Sequence, residues 1–265
     1  MTLPLNIAIL GTPDVPAARD FYSQALSPGV QDYGGFARMA LHGSGDIGVT
    51  GSTELAAETG VAAEGTGFRG YIFSYVLEQP SEVTAVIEAA AAAGAEILKP
   101  AKKALFGSFS GVFRAPDGAV WKVSSDKKKD TAAPQSPPQP TETGVLLGVA
   151  DPKASKRFYA ALGMAVDRDY GAKYVDFTVT GGALRLGLMQ RQDLAKDVGL
   201  AAEGSGFQHL VLSHDAASAQ DVDDLVHRAE AAGAAITAPP AAQEWGGYMG
   251  CFTDPDGVAW KIASA

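Results

Sequence analysis

The sequence predicts an α+β fold in which one domain of about 125 residues occurs twice in tandem. Three observations predict it: a self-match held in register over most of the chain, the same order of strand and helix signals in both copies, and a proline-rich stretch between them. LAAETGVAAEGTGF (55–68) returns as LAKDVGLAAEGSGF (194–207), a displacement of 139. The same displacement carries Gly94 to Gly233, Pro100 to Pro239, Gly107 to Gly246 and Gly111 to Gly250, then Phe113 to Phe252 and PDGAVWK (116–122) to PDGVAWK (255–261). Nearer the N-terminus it becomes 137, pairing Leu10-Gly11 with Leu147-Gly148, Asp14 with Asp151, and Phe21-Tyr22 with Phe158-Tyr159. Solenoid units would recur every 20 to 50 residues or so, and these do not.

The boundaries follow: copy one spans 1–126, a linker 127–142, and copy two 143–265. The linker is rich in Pro, Gln, Ser and Thr without apolar periodicity, so it reads as an exposed, semi-extended connector. Its opening run, Lys127–Lys129, reads as solvated charge.

Each copy opens on a short apolar strand (Leu5–Leu10; Val145–Val149) that leads to Asp14 or Asp151, each placed to cap a helix. Pro16 and Pro152 lie in the first turn, where a missing N–H costs nothing. Phe21-Tyr22 and Phe158-Tyr159 mark the inner face of that helix. Alternating segments follow, clearest at Tyr174–Val179 and Ala183–Leu188, and read as strands. After the repeated LAA…GF stretch come another strand (Tyr71–Leu77; His209–Ser213) and a second helix. In it Val83, Val86, Ile87 and Ala90, or Val222, Leu225, Val226 and Ala229, recur at helical spacing. Gly94 and Gly233 end these helices. Three strands close each copy, the last two joined by a PDG turn. Each copy is therefore strand–helix–three strands, twice over: two βαβββ modules.

Hydrophobic residues at 46% and charged residues at 19% suit a globular protein with full cores. A net charge of -9 argues against nucleic acid and anionic membrane surfaces as partners. The single cysteine, Cys251, excludes an intramolecular disulfide and a CxxC site, and its small, apolar neighbours read as core. The N-terminal run MTLPLNIAILG lacks a basic region and is short for a signal peptide; no apolar stretch reaches the ~18–20 residues that cross a bilayer. The expected location is the cytoplasm.

LGTPDVPAARDFYSQAL (10–26) and LGVADPKASKRFYAALG (147–163) resemble the opening of the vicinal oxygen chelate superfamily. Its members include glyoxalase I, extradiol dioxygenases and bleomycin-resistance proteins. FTDPDGVAWKI (252–262) resembles the closing motif of these domains; FRAPDGAVWKV (113–123) departs from it at Ala115, where Asp is usual. The resemblance covers all but the linker. It implies paired βαβββ modules curling into a U-shaped eight-stranded sheet around a cleft, twice in this chain. It does not imply a reaction.

Enzymes of the family hold a divalent metal with His, Glu or Gln on particular strands. By the resemblance, the first-strand position falls near Ile7 and Gly144, the fourth-strand position near Val49 and Leu188, the fifth at Gly70 and His209, and the last at Lys122 and Lys261. A catalytic ion takes about three protein ligands and an open position. Only His209 can serve, and a lysine in the last place repels a cation. His209 reads as a core or rim histidine, a ligand contact, or a weak metal candidate. Lys122 and Lys261 read as anchors for a carboxylate, phenolate or carbonyl, or as members of internal ion pairs. Phe106 and the Trp245–Tyr248 segment form aromatic loops that either wall a cleft or pack in the core. Trp121 and Trp260, one residue before the lysines, turn to the opposite face and read as core. Asp117 and Asp256 read as turn residues; His42, His214 and His227 read as surface.

The leading expectation is a metal-independent small-molecule binding protein, similar in logic to drug-sequestering relatives. It would use Lys122, His209, Trp245, Tyr248, Lys261 and Phe106 against its ligand. It would be a monomer acting as a pseudo-dimer, with a homodimer also compatible, and would need no cofactor. The rival is an enzyme, a glyoxalase-like lyase or isomerase or a dioxygenase. It would carry one divalent metal in copy two centred on His209, or work by acid–base chemistry of His209 and Lys261. A catalytically silent scaffold is the third class.

Overall fold

The computed structural model describes residues 3–103, 108–244 and 246–265. It contains four βαβββ modules. The first is β1 (Ile7–Thr12), α1 (Val15–Leu26), β2 (Gly29–Asp32), β3 (Phe36–Ala40) and β4 (Asp46–Gly51). After a connecting helix α2 (Ser52–Thr59) and strand β5 (Gly65–Gly67), the second is β6 (Tyr71–Val76), α3 (Pro80–Ala92), β7 (Glu96–Lys103), β8 (Phe109–Arg114) and β9 (Val120–Ser125). Copy two repeats this order. Its third module is β10 (Glu142–Val149), α4 (Pro152–Ala161), β11 (Val166–Asp169), β12 (Val175–Phe177) and β13 (Arg185–Gln190). Then come α5 (Arg191–Val198) and β14 (Gly204–Gly206). The fourth module is β15 (Leu210–Asp215), α6 (Ala219–Ala231), β16 (Ala235–Ala242), β17 (Tyr248–Thr253) and β18 (Ala259–Ser264).

The expected caps form. Asp14 accepts from the Ala17 amide and Asp151 from the Lys153 amide, both at 2.9 Å. Gly94 and Gly233 follow α3 and α6 with φ of 102° and 106°, the left-handed conformation that glycine adopts without strain. The strand read over Tyr174–Val179 is shorter than its alternation suggested, Val175–Phe177 only.

The two expected eight-stranded sheets are present, and each takes one module from each copy. One sheet runs β16-β17-β18-β15-β1-β4-β3-β2, joining the fourth module to the first; we call it sheet A. The other, sheet B, runs β11-β12-β13-β10-β6-β9-β8-β7 and joins the third to the second. The seams are antiparallel: β1 on β15, with Ile7 opposite Ser213, and β10 on β6, with Gly144 opposite Ser74. Strands β5 and β14 pair with each other and tie the two connecting stretches together. Only glycine fits there, because a Cβ on Gly65 or Gly204 would strike the carbonyl oxygen of Phe207 or Phe68.

Within a copy the modules pack through their helices and aromatics. Trp121 stacks on Phe73 at 4.3 Å and Trp260 on Phe252 at 6.3 Å, and both indoles are fully buried, as the strand alternation predicts. The Tyr22 hydroxyl donates to Asp117 (2.8 Å) and the Tyr159 hydroxyl to Asp254 (2.5 Å), while each indole N–H points at the same hydroxyl (3.4 and 3.3 Å). The two copies reach one solution from different turn positions, since Ala115 stands where Asp254 does. Copy one uses the Asp of its PDG instead.

His214 corrects the surface reading. It is buried beneath the N-terminal arm, with Nδ1 3.1 Å from the Pro4 carbonyl and 3.0 Å from Asn6 Oδ1. His227 is exposed on α6, and His42 is half-buried at a turn. The linker is largely exposed but tethered: the Gln79 amide donates to Ala132 O, and the Gln135 amide N–H donates to Glu82. Among the described residues, no helix is long and apolar enough to cross a membrane.

Candidate functional site

Strand alternation gives each sheet a helix-packed face and a cleft face. On sheet A the helix-packed face carries Ala8, Leu10, Leu212 and Trp260, and the cleft face carries Ile7, Ile9, Val211 and Ala259. Val49 and Leu188 fall with the first group, which corrects their assignment as ligand positions. The cleft-facing positions beside them are Gly48 and Gly187. A glycine interrupts the alternation in both strands, so the one-residue register was open to error.

Neither cleft floor is bare. α2 lays Leu55 and Ala56 on Ile7, Ile9, Val211 and Ala259 of sheet A; α5 lays Leu194, Ala195 and Val198 on Ile72, Val112 and Val120 of sheet B. These helices are the LAAET and LAKDV segments of the strongest repeat. Their spacing of apolar residues, with an acid near the end, was the signal that sequence reasoning left without an element.

The lysines point where alternation places them, onto the cleft faces, and each meets that acid. Lys261 Nζ lies 3.1 Å from Glu58 Oε1 of α2, and Lys122 Nζ lies 2.6 Å from Asp197 Oδ2 of α5. Glu58 and Asp197 are equivalent by the displacement of 139 (197 − 58), as are the lysines (261 − 122). Lys99 adds a bond to the last turn of α5, donating to the Asp197 carbonyl at 2.5 Å. Partly exposed pairs of this kind contribute about 1 kcal/mol or less to stability.

His209 sits before β15 with φ of 53°, left-handed and unusual for a residue with a Cβ. Its Nδ1 is 3.1 Å from Ser52 Oγ, at the start of α2. Burial, and secondarily Arg69, lowers the imidazole below its ordinary pKa, favouring the neutral ring. At the equivalent place in sheet B stands Gly70 (φ 80°), and a Cβ there would collide with Arg191, the counterpart of Ser52. Large faces small in both clefts, with the roles exchanged.

A second exchange lies on the neighbouring strands β3–β4 and β12–β13. On sheet A, Arg38 of β3 pairs with Asp46 of β4 at 2.6 Å. On sheet B the charges are reversed: Asp176 of β12, fully buried, takes Arg168 at 2.6 Å, Arg185 of β13 at 3.5 Å and the Tyr174 hydroxyl at 2.9 Å.

Tyr248 is not brought to a cleft. It lies on the helix-packed side, where its hydroxyl donates to Asp223 of α6 at 3.0 Å, because Met249 and Cys251 take the cleft-facing positions of β17. Phe106 and Trp245 lie outside the described residues. Cys251 is buried near Glu58, and burial pushes its thiol up to about 12, so it is an inert core thiol.

Regrouped by sheet, the positions implied for a metal are Ile7, Gly48, His209 and Lys261 in sheet A, and Gly144, Gly187, Gly70 and Lys122 in sheet B. One imidazole beside an ammonium does not make a divalent-cation site, and no cluster of three His, Cys, Asp or Glu occurs among the described residues. These residues do not fit the family's metal.

Many solved structures show similarity, among them the following three. Glyoxalase I from Zea mays matches at 16% identity over 99% of this chain and 92% of its own, with a TM-score of 0.62. A point mutant of the same Zea mays enzyme matches at 18% over 99% and 92%, with a TM-score of 0.65. A glyoxalase-related enzyme from Fulvimarina pelagi is 32% identical over 45% of this chain and 84% of its own, with a TM-score of 0.40. Among curated proteins none matches the chain. The model of the Glyoxalase/Bleomycin resistance protein/Dioxygenase superfamily matches residues 5–123 and again 143–262, and the chain belongs to that superfamily.

Proposed function

We propose that the chain is a metal-independent small-molecule binding protein that presents two clefts from a single polypeptide. The observation that carries this reading is the pair of lysines. Both stand at the last metal-ligand position, both face the cleft, and both are matched by a carboxylate on the covering helix, at 2.6 and 3.1 Å. An ammonium so placed offers three hydrogen-bond donors to an anionic or carbonyl group once its partner acid is displaced. The cleft walls beside it are apolar, which suits a ligand body.

The reading is tested by a thermal-shift screen of planar anionic and cationic compounds on the full chain. A ligand at about 100 times its Kd adds about 2.7 kcal/mol. At least one compound is expected to stabilise the protein, with the shift reduced in Lys122→Met or Lys261→Met. A screen in which nothing stabilises the wild type overturns the reading in favour of a scaffold.

A further inference from the structure

Where the cleft mouth of sheet B meets its helix-packed face, bounded by Phe68, Val120 and Leu200 on one side and Tyr71 on the other, lies a pocket of about 410 Å³, within the range of small-ligand sites. Its walls include Phe68, Val120 and Leu200; Arg69, Tyr71 and Arg114 supply the polar atoms. Two of these atoms are buried and unsatisfied. Among the described residues neither the Tyr71 hydroxyl, in a residue 1% exposed, nor Arg69 Nη1 makes a well-formed hydrogen bond, although the guanidinium lies close enough to lean on the phenol oxygen. Burial raises Tyr71 to about 12, so it stays a protonated donor. Arg69 stands beside it and over the PDG turn, with Nη2 2.7 Å from where a Cβ on Gly118 would be. Burial raises the Asp117 carboxyl above its ordinary value, an effect that the Arg69 charge opposes, and the oxygens of Asp117 are already taken by Tyr22 and the Ala119 amide. The Tyr71 O–H and Arg69 Nη1 both remain donors in want of an acceptor, and burying a donor unpaired is unfavourable.

The fold does not demand this set. In copy two the equivalents of Arg69, Tyr71 and Arg114 are Gln208, Leu210 and Thr253, at the same displacement of 139 (208 − 69). Two arginines and a phenol stand at one cleft mouth only; the other has an amide, an alkyl group and an alcohol in their places. We propose that this pocket is a carboxylate-binding subsite: Arg69 and Tyr71 hold the carboxylate, Arg114 closes from the rim, and Phe68 and Leu200 take an apolar body. Arg114 already shares its charge with Glu96 at 2.8 Å, so it contributes least. Glu203 also borders the pocket, exposed and negative; it disfavours a second negative charge, which selects monocarboxylates over phosphates and dicarboxylates.

The inference deepens the small-molecule reading and rests on it. The test is an NMR titration of the full chain with phenylacetate, and with 2-phenylethanol as the neutral control. Phenylacetate is expected to shift the amides of Arg69, Tyr71 and Gly118 and to bind at least about tenfold tighter than the alcohol, the usual worth of a charge-assisted bond. Arg69→Gln, which installs the residue of copy two, is expected to weaken binding about tenfold. Tyr71→Phe, which keeps the ring and the fold, is expected to weaken it several-fold. Equal binding of acid and alcohol, unchanged affinity in both variants, or no phenylacetate binding at all would overturn the subsite. A compound from the wider screen that still stabilises the protein would keep the small-molecule reading when the subsite fails.

Discussion

The two clefts are related by the internal duplication, yet they differ at most of the cleft-facing polar positions compared above. Sheet A puts His209 over Ser52, where sheet B puts Arg191 over Gly70. Sheet A pairs Arg38 with Asp46, where sheet B reverses the charges with Asp176 and Arg185. What the clefts share is the lysine on the last inner strand and the acid of the helix that covers it. The difference teaches that substitution here has been compensated: each new side chain has a partner of the opposite size or sign. A decaying site would leave orphans. The unsatisfied atoms of Arg69 and Tyr71 depart from that pattern in lining one open pocket together.

The largest effects should fall on what the halves have in common. Trp121→Ala and Trp260→Ala each empty an equivalent aromatic core, and each should cost about 3–5 kcal/mol in urea unfolding. A cost confined to one would break the equivalence. The reversed ion pairs should separate the clefts next. Asp176→Ala removes a fully buried carboxylate from Arg168 and the Tyr174 hydroxyl, while Arg185 keeps Glu142 and Asp167, and should cost about 3 kcal/mol. Arg38→Ala, at a half-exposed pair, should cost about 1 kcal/mol or less. Similar values for both would mean that the charge reversal carries no difference in burial.

A pH series sharpens the contrast between the tyrosine–carboxylate contacts. Burial raises Asp254 to about 6, above the ordinary carboxylate value near 4. The folded state therefore holds a proton more tightly than the unfolded chain, so this group's stabilisation is full below about pH 4 and is lost as pH rises through about 6. Asp254→Asn should flatten that fall, worth on the order of 3 kcal/mol, in thermal melts between pH 4 and 7. A fall that persists in the variant would place its origin elsewhere.

The smallest effect is a transplant. Gly70→His puts a side chain at a left-handed position, costing about 1–2 kcal/mol before any collision with Arg191. Adding Arg191→Ser recreates the partner that His209 has, and the double variant should recover about 1 kcal/mol relative to the sum of the singles. Strict additivity would show that the two positions are not coupled.

Much of this was legible in the sequence, for physical reasons. The duplication shows as a self-match, the caps at Asp14 and Asp151 and the buried helix faces follow from local signals, and the inward lysines follow from the family resemblance of the closing motif. The pairing of modules across copies did not show, because β1 and β10 offer the same edge whether the partner strand comes from their own copy or the other. Glycines at 48 and 187 blurred the strand register and moved Val49 and Leu188 to the wrong face. His214 looked exposed at a strand end because its cover, the Pro4–Asn6 arm, is 208 residues away in the chain (214 − 6). The helices that fill the clefts were visible as the strongest repeat but not as lids, since eight-residue helices carry too little periodicity to declare which face they bury.

We propose that lysine and its helix-borne acid stand in place of metal chemistry in both clefts. Elemental analysis of the full chain purified without chelator tests it most directly. Zinc, nickel, manganese and iron should all be far below one per chain, with no change in His209→Ala. One equivalent of any of them in the wild type, lost in His209→Ala, would contradict the account.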